Sequence, residues 1–143
     1  MVFDKMLAII YTDGASSGNP GNSGIGAVIS YGSSVFEISE YIGLTTNNVA
    51  EYKALIAALK KVNEINKSYD VKINEVEIKM DSELVVKQIN GLYRVKMPHL
   101  QPLYNEAVSL LSGFDKYKVS YISRTINVKA DALARKASKS RAG

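Results

Sequence analysis

Four acidic side chains stand where solubility alone does not explain them: Asp13, Glu51, Asp81 and Asp131. Asp13 closes a short apolar run, Met6 to Thr12, and Asp81 closes another, Glu75 to Met80. Both runs have the length and residue types of strands. Strands joined through helices are usually parallel neighbours, and open α/β sheets bind ligands at the carboxyl ends of their strands. The two carboxylates are therefore expected to face one crevice. Glu51 falls in the first turn of the helix that follows the third strand, and Asp131 in the first turn of the last helix. Were all four to converge, each pair about 4 Å apart would cost on the order of 4 kcal/mol at an effective dielectric of 20. Protons or cations must then neutralise the cluster. Oxygen donors without Cys or His select hard cations, so the chemistry is that of Mg²⁺ or Mn²⁺ rather than zinc.

Each acid also has a local reading. Asn48 and Glu51 have capping-box spacing. Asp81 has the position of an N-cap for a helix starting at Ser82. Asp131 suits the positive end of a helix, and Asp13-Gly14 suits a turn. What separates the readings is whether the four meet.

The elements that would bring them together follow from periodicity. After the first strand, residues 14–26 are dense in Gly, Ser, Asn and Pro and are read as a loop. Ile25 to Tyr31 and Val35 to Ile42 read as two strands of a hairpin. From Asn48, Ala50, Ala54, Leu55, Ala58, Leu59 and Val62 recur at helical spacing over about four turns. Glu75 to Met80 is a strand, and Ser82 to Ile89 and Leu100 to Leu111 are helices. Tyr117 to Ile122 is the last strand and Val128 to Ser138 the last helix. The order β-β-β-α-β-α-α-β-α predicts an α/β fold. Its five-stranded mixed sheet has three antiparallel strands, then helix-linked parallel strands, with helices on both faces.

Composition bounds the rest. The chain has 143 residues, 46% of them apolar and 22% charged, which fits a single domain over 1–143. No apolar run approaches the roughly 18 residues of a membrane helix, so no membrane partner is expected. No cleavable signal pattern is seen, and the absence of Cys fits a cytoplasmic protein. Charge is uneven. Residues 1–51 carry five acids against Lys5, whereas residues 116–143 carry eight bases against Asp131 alone. That asymmetry suits a polyanionic partner, nucleic acid foremost.

Four segments carry a family resemblance. Tyr11-Thr12-Asp13-Gly14-Ala15-Ser16-Ser17-Gly18-Asn19-Pro20-Gly21 looks like the opening motif of ribonuclease H type 1, and Thr46-Asn47-Asn48-Val49-Ala50-Glu51 resembles its second. Asp81-Ser82 resembles the third, and Asn127-Val128-Lys129-Ala130-Asp131-Ala132-Leu133-Ala134 the fourth. The resemblance implies a monomeric, metal-dependent endonuclease that cuts the RNA strand of an RNA–DNA hybrid, leaving 5′-phosphate and 3′-hydroxyl ends. Asp13, Glu51, Asp81 and Asp131 would hold two Mg²⁺ ions, with Mn²⁺ a substitute. Gly14, Ala15, Ser16, Asn19, Thr46, Asn47, Asn48, Arg124 and Asn127 would contact substrate, Thr46 through a phosphate of the DNA strand. Whether duplex RNA is also a partner stays open. The loop Ser123 to Asn127 lacks the His that well-studied members carry there, and Arg124 is expected to face the cleft in its stead. The short segment Asn90 to Leu100 leaves no room for the basic protrusion of many relatives. The basic C-terminal helix and tail, with Arg135, Lys136, Lys139 and Arg141, would partly substitute for it.

Overall fold

The computed structural model describes residues 5–69 and 71–140; Arg141, counted above with the basic tail, lies outside them. Three antiparallel strands open the fold: β1 (Met6–Gly18), β2 (Gly21–Tyr31) and β3 (Ser34–Thr45). Helix α1 (Asn47–Ser68) leads to β4 (Ile73–Met80), and α2 (Glu83–Ile89) follows. A 3₁₀ turn (Pro98–Leu100), α3 (Gln101–Leu111), β5 (Lys116–Tyr121) and α4 (Val128–Ser140) complete it. The sheet order is β3-β2-β1-β4-β5, with β1, β4 and β5 parallel. This is the mixed five-stranded sheet expected from the pattern.

The two sheet faces differ in how they are filled. Ala8 and Ile10 of β1, with Ala27 and Ile29 of β2, pack with Leu55, Leu59 and Val62 of α1. Burying each such branched side chain contributes about 1.5–3 kcal/mol. The other face is packed with almost no side chain at all. A Cβ on Gly24 would lie 2.4 Å from the Ser138 nitrogen, and one on Gly26 would lie 2.3 Å from the Ala130 oxygen. Helix α4 thus lies directly on the β2 backbone through Ala130, Ala134 and Ala137. The β1–β2 register pairs Asp13 with Gly26 and Gly14 with Ile25, so Gly14 points to the α1 face and Gly26 to the α4 face.

Four expectations change. Residues 14–26 are not a loop: β1 and β2 stay paired from Ile9↔Ser30 to Gly18↔Gly21. Gly24 and Gly26 serve close helix packing there, which in one-dimensional sequence looks the same as turn chemistry. Helix α1 runs 22 residues rather than about four turns, because Val62 and Ile65 continue its buried stripe. Its N-cap is Thr46, whose hydroxyl accepts from the Val49 N–H at 3.4 Å, so the Asn48–Glu51 capping box does not form. That start also places Glu51 beyond the first turn, with no acid in it.

Candidate active site

The parallel pairing of β1 with β4 ends at Thr12↔Met80. The next residue on each strand is an aspartate, so register alone sets Asp13 beside Asp81. Glu51 arrives from the other direction, on α1, through a close approach at Gly14. A Cβ on Gly14 would lie 2.4 Å from the Ala50 carbonyl carbon and 2.6 Å from the Glu51 nitrogen. The Gly14 N–H donates to Asp13 Oδ1 at 3.0 Å and to Glu51 Oε1 at 2.9 Å, so one backbone amide orients two carboxylates. One carboxylate oxygen from each of Asp13, Glu51 and Asp81 lies within 4.8 Å of the others.

This arrangement is electrostatically costly. Asp13 is 4% exposed, and the Asp81 side chain 2%. Both Asp81 oxygens are buried without a hydrogen-bond partner; the nearest cation is Arg124, its Nε 3.6 Å from Oδ2. Ser82, not Asp81, caps α2, accepting from the Val85 N–H at 3.4 Å. Burial, reinforced by the charges of Glu51 and Asp81, pushes the Asp13 carboxyl far above the usual range. Burial and the Asp81 charge push Glu51 up as well, against the Gly14 N–H, which favours its charged form. Orphaned buried carboxylate oxygens are a strong penalty unless a ligand satisfies them. An all-oxygen donor set of this charge fits a hard divalent cation.

Asp131 joins the three through Asp13, its carboxyl close enough to push the Asp13 carboxyl up further. It opens onto the same cleft, about 430 Å³ in volume, and its carboxylate also pairs with Arg135 one helical turn on, at 3.1 Å. The four acids thus share one cleft: three lie in mutual reach, and the fourth meets Asp13 while also paired with Arg135. Of the expected substrate contacts, Gly14, Ala15, Ser16, Asn47 and Arg124 line the cleft. Arg124 is 79% exposed while touching Asp81, so it faces the cleft as anticipated. Asn19 accepts from the Asn47 N–H at 3.0 Å and so braces the β1–β2 turn against the start of α1. Thr46 caps α1, and Asn48 is partly buried in the first turn, outside the cleft lining.

Asn127 is in a different position. It is 1% exposed and donates through Nδ2 to the Thr12 carbonyl at 2.9 Å, tying the start of α4 to β1 next to Asp13. A side chain so enclosed does not reach substrate. Replacing it with Ala leaves the Thr12 carbonyl unsatisfied in a buried place, a loss of about 1–3 kcal/mol. Asn127→Ala is expected to lower the melting temperature by several degrees and to leave substrate affinity unchanged in the folded fraction. Thermal melts and binding isotherms below the transition check this.

Reading from sequence missed Ser17 and Ser138, which also line the cleft; Arg135 and Lys139, expected as part of a basic helix and tail, line it too. Spacing held the signal: Arg135, Ser138 and Lys139 follow Asp131 at four, seven and eight residues, one stripe of a helix. Tyr117 and Tyr121 are about half exposed on the edge strand β5. A separate, mostly apolar hollow of about 470 Å³ lies between α2 and the segment through Leu100, with no carboxylate lining it.

The family model described as "Reverse transcriptase-like" matches residues 11–137. Ribonuclease HI of Halobacterium salinarum is 41% identical over 129 residues, which make up 89% of this chain and 62% of that relative. The bifunctional protein Rv2228c of Mycobacterium tuberculosis is 39% identical, and the match spans 35% of its length. The chain thus spans less than two thirds of either of these curated relatives. The N-terminal RNase H domain of Rv2228c, solved as a fusion with maltose-binding protein, superposes with a TM-score of 0.85 at 40% identity; 93% of this chain and 99% of that one are covered. LC11-RNase H1, solved in complex with an RNA/DNA hybrid, has a TM-score of 0.82 at 41% identity, covering 91% of this chain and 95% of that one.

Proposed function

The chain belongs to the ribonuclease H type 1 family, and from that membership we propose that it hydrolyses the RNA strand of RNA–DNA hybrids with the help of divalent cations. The observation that carries the reading is the trio Asp13, Glu51 and Asp81, buried together with both Asp81 oxygens unsatisfied. A fold keeps such a cluster only for a ligand that compensates it. The hybrid bound by LC11-RNase H1, a close structural relative, supports the substrate class.

Asp13, Glu51 and Asp81 would hold the cations, with Asp131 beside Asp13 as the fourth acid. When bound, two Mg²⁺ or Mn²⁺ ions supply a water of lowered pKa and positive charge against the leaving 3′-oxygen, which yields 5′-phosphate and 3′-hydroxyl ends. The protein's own groups do the positioning. The Gly14 amide keeps Asp13 and Glu51 turned toward each other. Arg124, its Nε 3.6 Å from Asp81 Oδ2 and its side chain 79% exposed, can present its guanidinium to a phosphate oxygen. Backbone at 14–16 and the Asn47 side of the cleft meet the strand's sugars, where a 2′-hydroxyl distinguishes RNA from DNA. Residues 1–143 act as one catalytic unit, monomeric, and a cytoplasmic setting suits the cysteine-free chain. Among the described residues no helix is long and apolar enough to cross a membrane.

The test offers labelled RNA–DNA hybrid, duplex RNA, duplex DNA and single-stranded RNA, each with Mg²⁺, Mn²⁺ or chelator. Internal cuts in the RNA of the hybrid alone, abolished by chelator, are expected. Equal cutting of duplex RNA would broaden the substrate class, and hybrid binding without cleavage in any metal would contradict a nuclease.

A further inference from the structure

One cation in the cleft has no assigned task. Lys139 lines the cleft and makes no ion pair among the described residues, whereas Arg124 and Arg135 are each engaged with an aspartate. Its place is fixed. It lies in the last turn of α4, just where that helix presses on β2: the Ser138 nitrogen occupies the space a Gly24 Cβ would take. Ser138 is buried, and its hydroxyl donates to the Arg135 carbonyl at 2.7 Å. This turn is a clamped wall of the cleft and not a loose tail.

The register gives the wall a direction. Gly24 pairs with Ala15, two residues beyond Asp13 on β1, which sets Lys139 at the β1–β2 end of the cleft. Arg124 stands beside Asp81, which follows β4, at the opposite end. The carboxylates lie between two cations. A strand running along this cleft would place its scissile phosphate over the acids and its neighbouring phosphates toward the cations. On the hybrid-cleavage reading, we propose that Lys139 binds a backbone phosphate of the cleaved strand, on the side of the scissile bond away from Arg124. It is a substrate-positioning residue and takes no part in the bond-breaking step.

The rival use of a lysine at this point is to offset the negative end of the helix. Three variants separate the two. Lys139→Gln is expected to raise KM for the hybrid about five- to tenfold with kcat within about twofold. It should also reduce the log–log salt slope of binding by about one unit, one phosphate contact fewer. Lys139→Arg should restore most of both. Lys67→Gln makes the same charge change in the last turn of another helix, α1, at an exposed position outside the cleft lining, and should change neither. Affinity is read by fluorescence anisotropy with Ca²⁺ in place of Mg²⁺, so the result does not depend on turnover. A single uncharged methylphosphonate linkage, stepped along the RNA strand, should weaken the wild type at one position where it no longer weakens Lys139→Gln. An unchanged affinity and salt slope in Lys139→Gln, or an equal loss in Lys67→Gln, would overturn the assignment. In an enzyme that still cuts the hybrid, those outcomes leave the nuclease reading standing; absence of any hybrid cleavage by the wild type overturns that reading instead.

Discussion

Asp13→Asn is expected to make the metal-free protein more stable while removing its activity. The buried Asp13 carboxyl is pushed up to about 10 by desolvation and by the charges of Glu51 and Asp81. A folded state that holds a proton more tightly than the unfolded chain loses stability as pH rises above the ordinary carboxylate range near 4, and the loss continues up to the folded value. At neutral pH, then, the metal-free wild type bears the strain of this cluster, and a neutral amide relieves part of it. The Gly14 N–H still finds an oxygen in the variant, since an amide carbonyl accepts as the carboxylate did. A gain of about 2 kcal/mol corresponds to a rise of roughly 6 °C in melting temperature for a domain of this size. The gain should be larger at pH 8 than at pH 5, because the cost of keeping the wild-type proton grows as pH moves away from the unfolded carboxyl's range. Turnover should fall about a thousandfold, the scale of losing one charge-stabilising group from an active site. Melting curves at the two pH values in chelator, with a cleavage assay beside them, decide the matter. A melting temperature equal to or below that of the wild type at pH 8 would mean that the acids are not in mutual repulsion.

The second large effect comes from a residue with no side chain. Gly14→Ala sets a methyl 2.4 Å from the Ala50 carbonyl carbon and 2.6 Å from the Glu51 nitrogen, both backbone atoms that cannot swing aside. Helix α1 must retreat from β1 or the strand must bend. Overpacking of this kind costs about 1–3 kcal/mol. The functional loss should be greater than the stability loss, because the retreat carries Glu51 away from Asp13 and breaks the shared Gly14 amide contact. Misplacement of a catalytic group by about 1 Å can reduce rate about a hundredfold. Kinetics well below the melting transition, with circular dichroism to verify the folded fraction, should show kcat reduced on that scale. Activity within twofold of wild type would show that the close approach of α1 to β1 is not what places Glu51.

Much of this site was readable in one dimension, and for identifiable reasons. Asp13 and Asp81 follow apolar runs that had to be strands, and the helices between them forced a parallel pairing; their meeting follows from topology. The chemistry of the cation follows from the absence of Cys and from motifs that hold no His. What escaped depends on contacts between backbones. Gly24 and Gly26 read as loop residues because a glycine chosen for a helix lying on a strand has the same letter as one chosen for a turn. Asn127 read as a substrate contact because its motif is polar and near an acid, yet its amide faces inward to Thr12. Asp131 meets Asp13, but spacing says nothing of the guanidinium four residues on with which it also pairs. Lys139 read as one of several bases in a helix and tail; the packing of α4 on β2 shows which way its last turn is held.

The most direct test uses crystals grown with Mn²⁺ and no nucleic acid, with anomalous difference density measured at the manganese edge. A peak bounded by the carboxylates of Asp13, Glu51 and Asp81 is the expected result, and it should vanish in Asp81→Asn. Density elsewhere on the surface with none among these three side chains would mean that their shared burial serves something other than a divalent cation.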